Sequence, residues 1–319
     1  WQTVKSGSED AAAEYGVDIT FEGPASEADI QDQVQMLQNA LAKDPSAIAL
    51  AALDTNAVMD QLEEALRRDI PIVGFDSGVP NAPAGSIYAN ASTDNYAAAG
   101  LAAEKMFEVV KGQIESASAR NPLAIVVMNQ DSSGESLLSR GKGFRDRMVE
   151  LIISETSKTA ADISVQGNPA YIAADSPTDG DEVILFMLVP ASPRTQDATA
   201  AAQAMLNRVE DDNVVGIFCS NEGTVGGLLA ASNDGAELAS RYSDVVVIGF
   251  DAGEAQKNAV RQGYFMGSIT QDPYQIGYKA VEMAYKAAMG ESISDVDTGA
   301  KFYDASNMDD AGIANLLYD

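Results

Sequence analysis

Histidine is absent from the 319 residues, and cysteine and tryptophan occur once each, as Cys219 and Trp1. Without histidine there is no Ser-His-Asp or Cys-His catalysis, and most zinc sites are excluded. A single cysteine forms no intrachain disulfide. Cys219 ends the apolar run Val214-Val215-Gly216-Ile217-Phe218-Cys219 and reads as a small buried hydrophobe. Cations are scarce, with 20 Lys and Arg against 48 Asp and Glu and a net charge of -28. That balance argues against nucleic acid, whose phosphates need Lys and Arg, and against anionic membrane surfaces. It favours a soluble surface that resists self-association. No apolar run reaches the length of a membrane-spanning helix. No Walker loop is present, and no Gly-x-Gly-x-x-Gly follows a strand. Gly223-Thr224-Val225-Gly226-Gly227 opens a helix, but it lacks Lys and has Glu222 beside it, which opposes phosphate. Ser132-Ser133-Gly134-Glu135-Ser136 is not a nucleophile elbow. No cofactor and no metal are expected.

What is present is a repeat. Val245-Val246-Val247-Ile248-Gly249-Phe250-Asp251 reads as a buried strand running into a carboxylate, and Ile70-Pro71-Ile72-Val73-Gly74-Phe75-Asp76 is a second copy. Each follows a helical stretch that itself follows an apolar run. Asp54 closes the earlier run and Asn221 the later one. These are two equivalent βαβ halves. Open parallel sheets bind ligands outside the carboxyl ends of their strands. Two such lobes facing each other would gather Asp76, Asp251 and Asn221 around one cleft. An Asp after a buried strand also serves as a helix cap or turn residue; two matched copies favour a site.

Apolar residues make up 46% of the chain, enough for real cores, and the length suits two domains. Helices are expected over 1–15, 25–43 with Ser26 as N-cap, and 55–69. Strands are expected at 17–21, 47–53 and 86–89. Strands alternate with helices to the end, giving an α/β fold of two similar doubly wound parallel-sheet lobes joined by a hinge. The expected lobes are 1–93 with 272–298, and 94–271 with 299–319. A helix feeding a strand at the very start implies that a first strand lies outside this chain. Residues 167–194 break the rhythm with Pro169, Pro177, Pro190 and Pro193, and read as an inserted hairpin or lobe extension.

Two acids in a cleft suit a hydrolase pair. They equally suit a neutral polyol, whose hydroxyls donate to carboxylates. Arg140, near the start of a second-lobe helix, offers a fork of donors and offsets the acids. Asn221 supplies both a donor and an acceptor. Trp1, Phe75 and Phe250 are flat apolar surfaces for a sugar ring, or else core packing.

The order and spacing of five stretches resemble a known family. They are Ile70–Asp76, Arg140-Gly141-Lys142-Gly143-Phe144, Phe218-Cys219-Ser220-Asn221-Glu222, Ile248-Gly249-Phe250-Asp251-Ala252 and Gln271-Asp272-Pro273-Tyr274-Gln275-Ile276-Gly277. The chain resembles the periplasmic sugar-binding proteins of the ribose/galactose type, the solute receptors of ABC importers. The resemblance implies a type I periplasmic-binding fold and hinged capture of a neutral sugar, with no bond made or broken. It further implies an extracytoplasmic monomer that delivers its sugar to a membrane permease, from the periplasm or as a surface lipoprotein. It assigns Asp76, Arg140, Asn221, Phe250, Asp251, Gln271 and Trp1 to the ligand. Ser77 stands where ribose binders often carry Arg. The alternatives are a receptor for a nucleoside or furanosyl signal, the effector domain of a sugar-responsive repressor, and a hydrolase using Asp76 and Asp251.

Overall fold

A computed structural model describes residues 1–318. The chain divides into two compact units. Unit 1 comprises Trp1–Asp94, Ser133–Ser136 and Gln271–Ala300; unit 2 comprises Asn95–Ser132, Leu137–Thr270 and Lys301 onward. Among the described residues, no helix is long and apolar enough to cross a membrane.

Unit 1 is built on a sheet of β1 (Ile48–Leu50), β2 (Ile72–Phe75), β3 (Ile87–Ser92) and β10 (Val296–Asp297), paired in that order and all parallel. Its helices are α1 (Gln2–Tyr15), α2 (Ile30–Ala42), α3 (Met59–Arg67) and α9 (Pro273–Ala288). Leu37 and Leu41 of α2 and Leu62 and Ala65 of α3 close over Ile48, Leu50 and Ile72. Helices α1 and α9 cross through reciprocal glycines. A Cβ at Gly7 would lie 2.1 Å from the Tyr274 carbonyl, and one at Gly277 would lie 1.9 Å from the Val4 carbonyl. Only hydrogen side chains permit that approach.

Three expectations for unit 1 are corrected. Strand β1 is shorter than 47–53 because a glutamine side chain takes over the ladder. Gln33 donates to the Ala51 carbonyl at 2.8 Å and accepts from the Leu53 N–H at 2.9 Å. Helix α2 begins at Ile30, not near 25; Ser26 instead receives the Ala28 N–H at 3.2 Å in a preceding turn. Residues 17–21 form no strand, since no described segment pairs with them; Val17 donates its N–H to the Ala12 carbonyl at 3.0 Å, and Val17 and Ile19 pack against the cluster of Ala11, Ala12 and Val281.

Unit 2 carries a seven-stranded sheet. In chain order its strands are β4 (Leu123–Met128), β5 (Ile163–Gly167), β6 (Val183–Leu188), β7 (Val214–Cys219), β8 (Val246–Phe250), β9 (Gly267–Gln271) and β11 (Ala300–Tyr303). Their spatial order is β11-β9-β8-β7-β4-β6-β5, parallel from β9 to β5. The helices are α4 (Asn95–Ser116), α5 (Glu135–Glu155), α6 (Thr195–Leu206), α7 (Glu222–Ala231), α8 (Glu254–Arg261) and α10 (Ala311–Ala314). Phe144 of α5 stacks on Phe218 of β7 with centroids 4.6 Å apart. Cys219 is fully buried, and burial pushes its thiol far up. Residues 167–194 form no hairpin. β6 lies parallel to β5 and to β4, in full register with both, so the Val183–Leu188 run is an inner strand with sheet on each side.

The repeat is structural as well as sequential. A Cβ at Gly74 would lie 1.8 Å from Asn90 Oδ1, and one at Gly249 would lie 2.4 Å from Gln256 Nε2. Each glycine leaves room for a polar side chain, and at Gly249 that side chain, Gln256, donates to the Phe250 carbonyl at 3.0 Å. Asp76 and Asp251 both turn into the left-handed region, with φ of 58° and 82°. Each donates its N–H to a neighbouring strand's end, Asp76 to Ala91 at 3.0 Å and Asp251 to Ile269 at 2.6 Å. Gly249→Ala must displace Gln256 from Phe250 and is expected to cost about 1–3 kcal/mol. The thermal midpoint should then fall by roughly 2–4 °C per kcal/mol. An unchanged midpoint in calorimetry would contradict this packing.

Candidate functional site

In unit 2 the candidate site is assembled at the carboxyl ends of β4, β7 and β8, where a parallel sheet leaves its ligand crevice. Arg140 projects from α5 and is 3% exposed. Its Nε donates to Asn95 Oδ1 at 2.8 Å, and its Nη1 donates to the Ser220 carbonyl at 3.1 Å. The same Nη1 lies 3.7 Å from Asp251 Oδ2. The guanidinium covers the Phe250 ring, with Cζ 3.9 Å from the centroid. A flat, weakly hydrated cation over an aromatic face is a favourable desolvated pairing.

The Asp251 backbone is held from several sides. Its carbonyl accepts from Ser268 Oγ at 3.0 Å and Tyr303 Oη at 3.1 Å. The next N–H, of Ala252, donates to Tyr318 Oη at 3.3 Å. Asp251 Oδ2 accepts the Glu222 N–H at 3.1 Å. The C-terminal stretch thus supplies two tyrosines to this loop. Burial raises both phenols, and the Asp251 carboxylate adds to the rise.

Asn221 takes the N-cap of α7. Its Oδ1 accepts from Thr224 N at 3.1 Å and Thr224 Oγ1 at 3.0 Å, and its Nδ2 donates to Gln130 Oε1 at 2.7 Å. A carboxamide nitrogen carries a second hydrogen that this bond leaves for another acceptor.

Unit 1 has its own cluster. The Trp1 ring is 56% exposed and meets Phe75 edge to face, with centroids 6.3 Å apart. Phe75 directly precedes Asp76, so an open aromatic face lies near a carboxylate-bearing turn. Gln271 ends β9, is buried, and immediately precedes Asp272, whose Oδ1 caps α9 through Gln275 N at 2.9 Å. An open depression of about 620 Å³ on unit 1 is lined by Asp29, Asp32, Asp54 and Asn56 among others, and by none of the seven candidates. Among the described residues, no group of three or more His, Cys, Asp or Glu is arranged to hold a metal.

Arg140, Asn221, Phe250 and Asp251 therefore come together in unit 2, while Trp1, Asp76 and Gln271 belong to unit 1. Phe250 is fully buried and serves as the platform under Arg140. Asn95, Gln130, Ser220, Tyr303 and Tyr318 were not singled out in the sequence. Ser220 lies within a motif stretch, beside Asn221; the others carried no signal of a role at the site.

The family model for periplasmic binding protein domains matches residues 1–292. The D-allose-binding periplasmic protein of Escherichia coli K12 is 22% identical over 306 residues, covering 95% of this chain and 85% of that protein. Among solved structures, a Brachyspira murdochii protein named as an ABC transporter, LacI family transcriptional regulator, is 37% identical with a TM-score of 0.81. The match spans 100% of this chain and 94% of that one. An ABC transporter solute-binding protein from Agrobacterium vitis with bound D-fucose is 28% identical with a TM-score of 0.77, over 100% of this chain and 95% of that one. With its matched strand ends and a family match over nearly its whole length, the chain belongs to the periplasmic binding protein domain family.

Proposed function

We propose that the protein is an extracytoplasmic receptor for a neutral sugar, most simply a monosaccharide, which it binds reversibly and hands to an ABC permease. The observation that carries this reading is the matched pair of left-handed aspartates at the ends of Gly-Phe-Asp strands, one per unit. In this reading both bind the same ligand. Carboxylates accept strongly from sugar hydroxyls. Arg140 adds donors and offsets one of the two charges. Trp1 offers a flat face to ring C–H groups. Gln271 and the second Nδ2 hydrogen of Asn221 complete the polar set. Nothing in this chemistry requires a proton to move or a bond to break. The ligands named for the Escherichia coli and Agrobacterium vitis relatives, D-allose and D-fucose, support a sugar.

The Brachyspira murdochii name favours a second reading, the sensing domain of a sugar-responsive regulator. The net charge of -28 weighs against a role on DNA. Sugar uptake by permease-bearing vesicles that depends on added protein would decide for transport; operator binding without uptake would decide for regulation.

A thermal-shift panel of pentoses and hexoses, D-allose and D-fucose among them, should yield at least one stabilising sugar. At 100 times its Kd that ligand adds about 2.7 kcal/mol. Asp251→Asn should weaken that sugar by about 10- to 100-fold, the worth of a charge-assisted hydrogen bond. A panel without any shift, in folded protein, would contradict the reading.

Arg140→Met should behave differently. Removing the guanidinium takes the counter-charge from the partly buried Asp251 and the donated bonds from Asn95 and Ser220, so stability itself should fall by about 3–5 kcal/mol. Chemical denaturation checks this, and a stability within about 1 kcal/mol of the parent would show that the pair is not needed.

A further inference from the structure

The crossover between β5 and β6, residues 168–182, has no part in the reading above. Asn168 opens it by capping a single 3-10 turn, Pro169–Tyr171; its Oδ1 accepts from Ala170 N at 3.0 Å. The turn drives Tyr171 into unit 2, where the side chain is fully buried. The ring lies against α5 at Gly141, the residue after Arg140. A Cβ at Gly141 would fall 2.4 Å from Tyr171 Cε1 and 2.5 Å from Asn129 Oδ1. The phenol donates to the Asp131 carbonyl at 2.5 Å. Burial pushes that phenol far up, so it remains a donor. The Tyr171 carbonyl in turn accepts from Arg145 Nη1 of α5, and Arg145 is itself held by Asp146 at 2.6 Å.

One tyrosine therefore touches two site-bearing segments. The first is the loop 129–131, where Gln130 accepts from Asn221 Nδ2 at 2.7 Å. The second is the turn of α5 that carries Arg140. Side chains that bind ligand are only as well placed as the shell that locks them. We propose that Tyr171 is a positioning residue for the ligand site and that the 168–182 crossover is part of the binding apparatus. The consequence for affinity rests on the sugar-receptor reading; the mechanism rests on unit 2 alone.

Tyr171→Phe keeps the ring and removes only the hydroxyl. In ligand-free protein, hydrogen exchange of the Asn221 side-chain amide, followed by NMR, should quicken by about 3- to 10-fold, the worth of one neutral hydrogen bond. The Asn213 side-chain amide, which donates to the Pro122 carbonyl at 2.9 Å away from this loop, should not change. An unchanged Asn221 rate, or an equal rise at Asn213, overturns the proposal. Affinity for a sugar bound by the parent should fall by a similar factor, and by less than about 2-fold in a Gln130→Ala background, since coupled residues are not additive. Equal losses in both backgrounds overturn the coupling. If the parent binds no sugar, the receptor reading fails on its own and the exchange rates still decide the positioning role. Asn168→Ala, which loosens the same turn from outside, serves if Tyr171→Phe does not fold.

Discussion

A guanidinium withdrawn from water costs several kcal/mol unless its charge and its donors are met. Arg140, 3% exposed, meets that requirement with the Asn95 amide, the Ser220 carbonyl, the Asp251 carboxylate and the Phe250 face. These four partners arrive from three elements: Asn95 from α4, Ser220 from the end of β7, and Phe250 with Asp251 from the end of β8. Their arrangement explains several local oddities together. Asp251 must turn left-handed straight after β8, and Gly249 must leave room for Gln256, which donates to the Phe250 carbonyl at 3.0 Å. Ser268, Tyr303 and Tyr318 then hold the backbone that the turn leaves behind. Strained backbone of this kind persists only where its surroundings over-determine it.

Unit 1 repeats the strand end with different surroundings. Gly74 accommodates Asn90, Asp76 turns left-handed, and the preceding Phe75 meets Trp1 instead of an arginine. The Asp251 carboxylate thus lies beside a buried cation, while Asp76 follows in sequence a phenylalanine that meets an exposed tryptophan. In the proposed reading, hydroxyls at the edge of a sugar ring suit the first and C–H bonds on its faces suit the second.

The fold was legible wherever a buried strand reads as a continuous apolar run, as in Val214–Cys219 and Val246–Phe250. It was less legible where a side chain substitutes for backbone. Gln33 shortens β1, and Ser26 caps a turn that only resembles a helix start. The run Val183–Leu188 falls in a stretch that reads as an inserted hairpin or lobe extension, because its parallel seat between β4 and β5 depends on a crossover with no helical pattern to announce it. Asp76, Asp251 and Arg140 were visible through repeat and motif. Gln130, Asn95, Tyr303 and Tyr318 were not, because they act on site residues through contacts 45 to 91 positions apart in the chain. Tyr171 is the extreme case, since nothing in its neighbourhood marks it apart from prolines.

In the proposed reading the Asp251 half and the Trp1 half serve one ligand. Trp1 is the single tryptophan and belongs to unit 1, while Asp251 lies in unit 2. Titration with a sugar that stabilises the protein should change that emission saturably. In Asp251→Asn the midpoint should move to at least about ten times higher sugar, a loss of roughly 1.4 kcal/mol. A Trp1 response with the same midpoint in both proteins would show that the two clusters do not share a ligand, and would contradict the account.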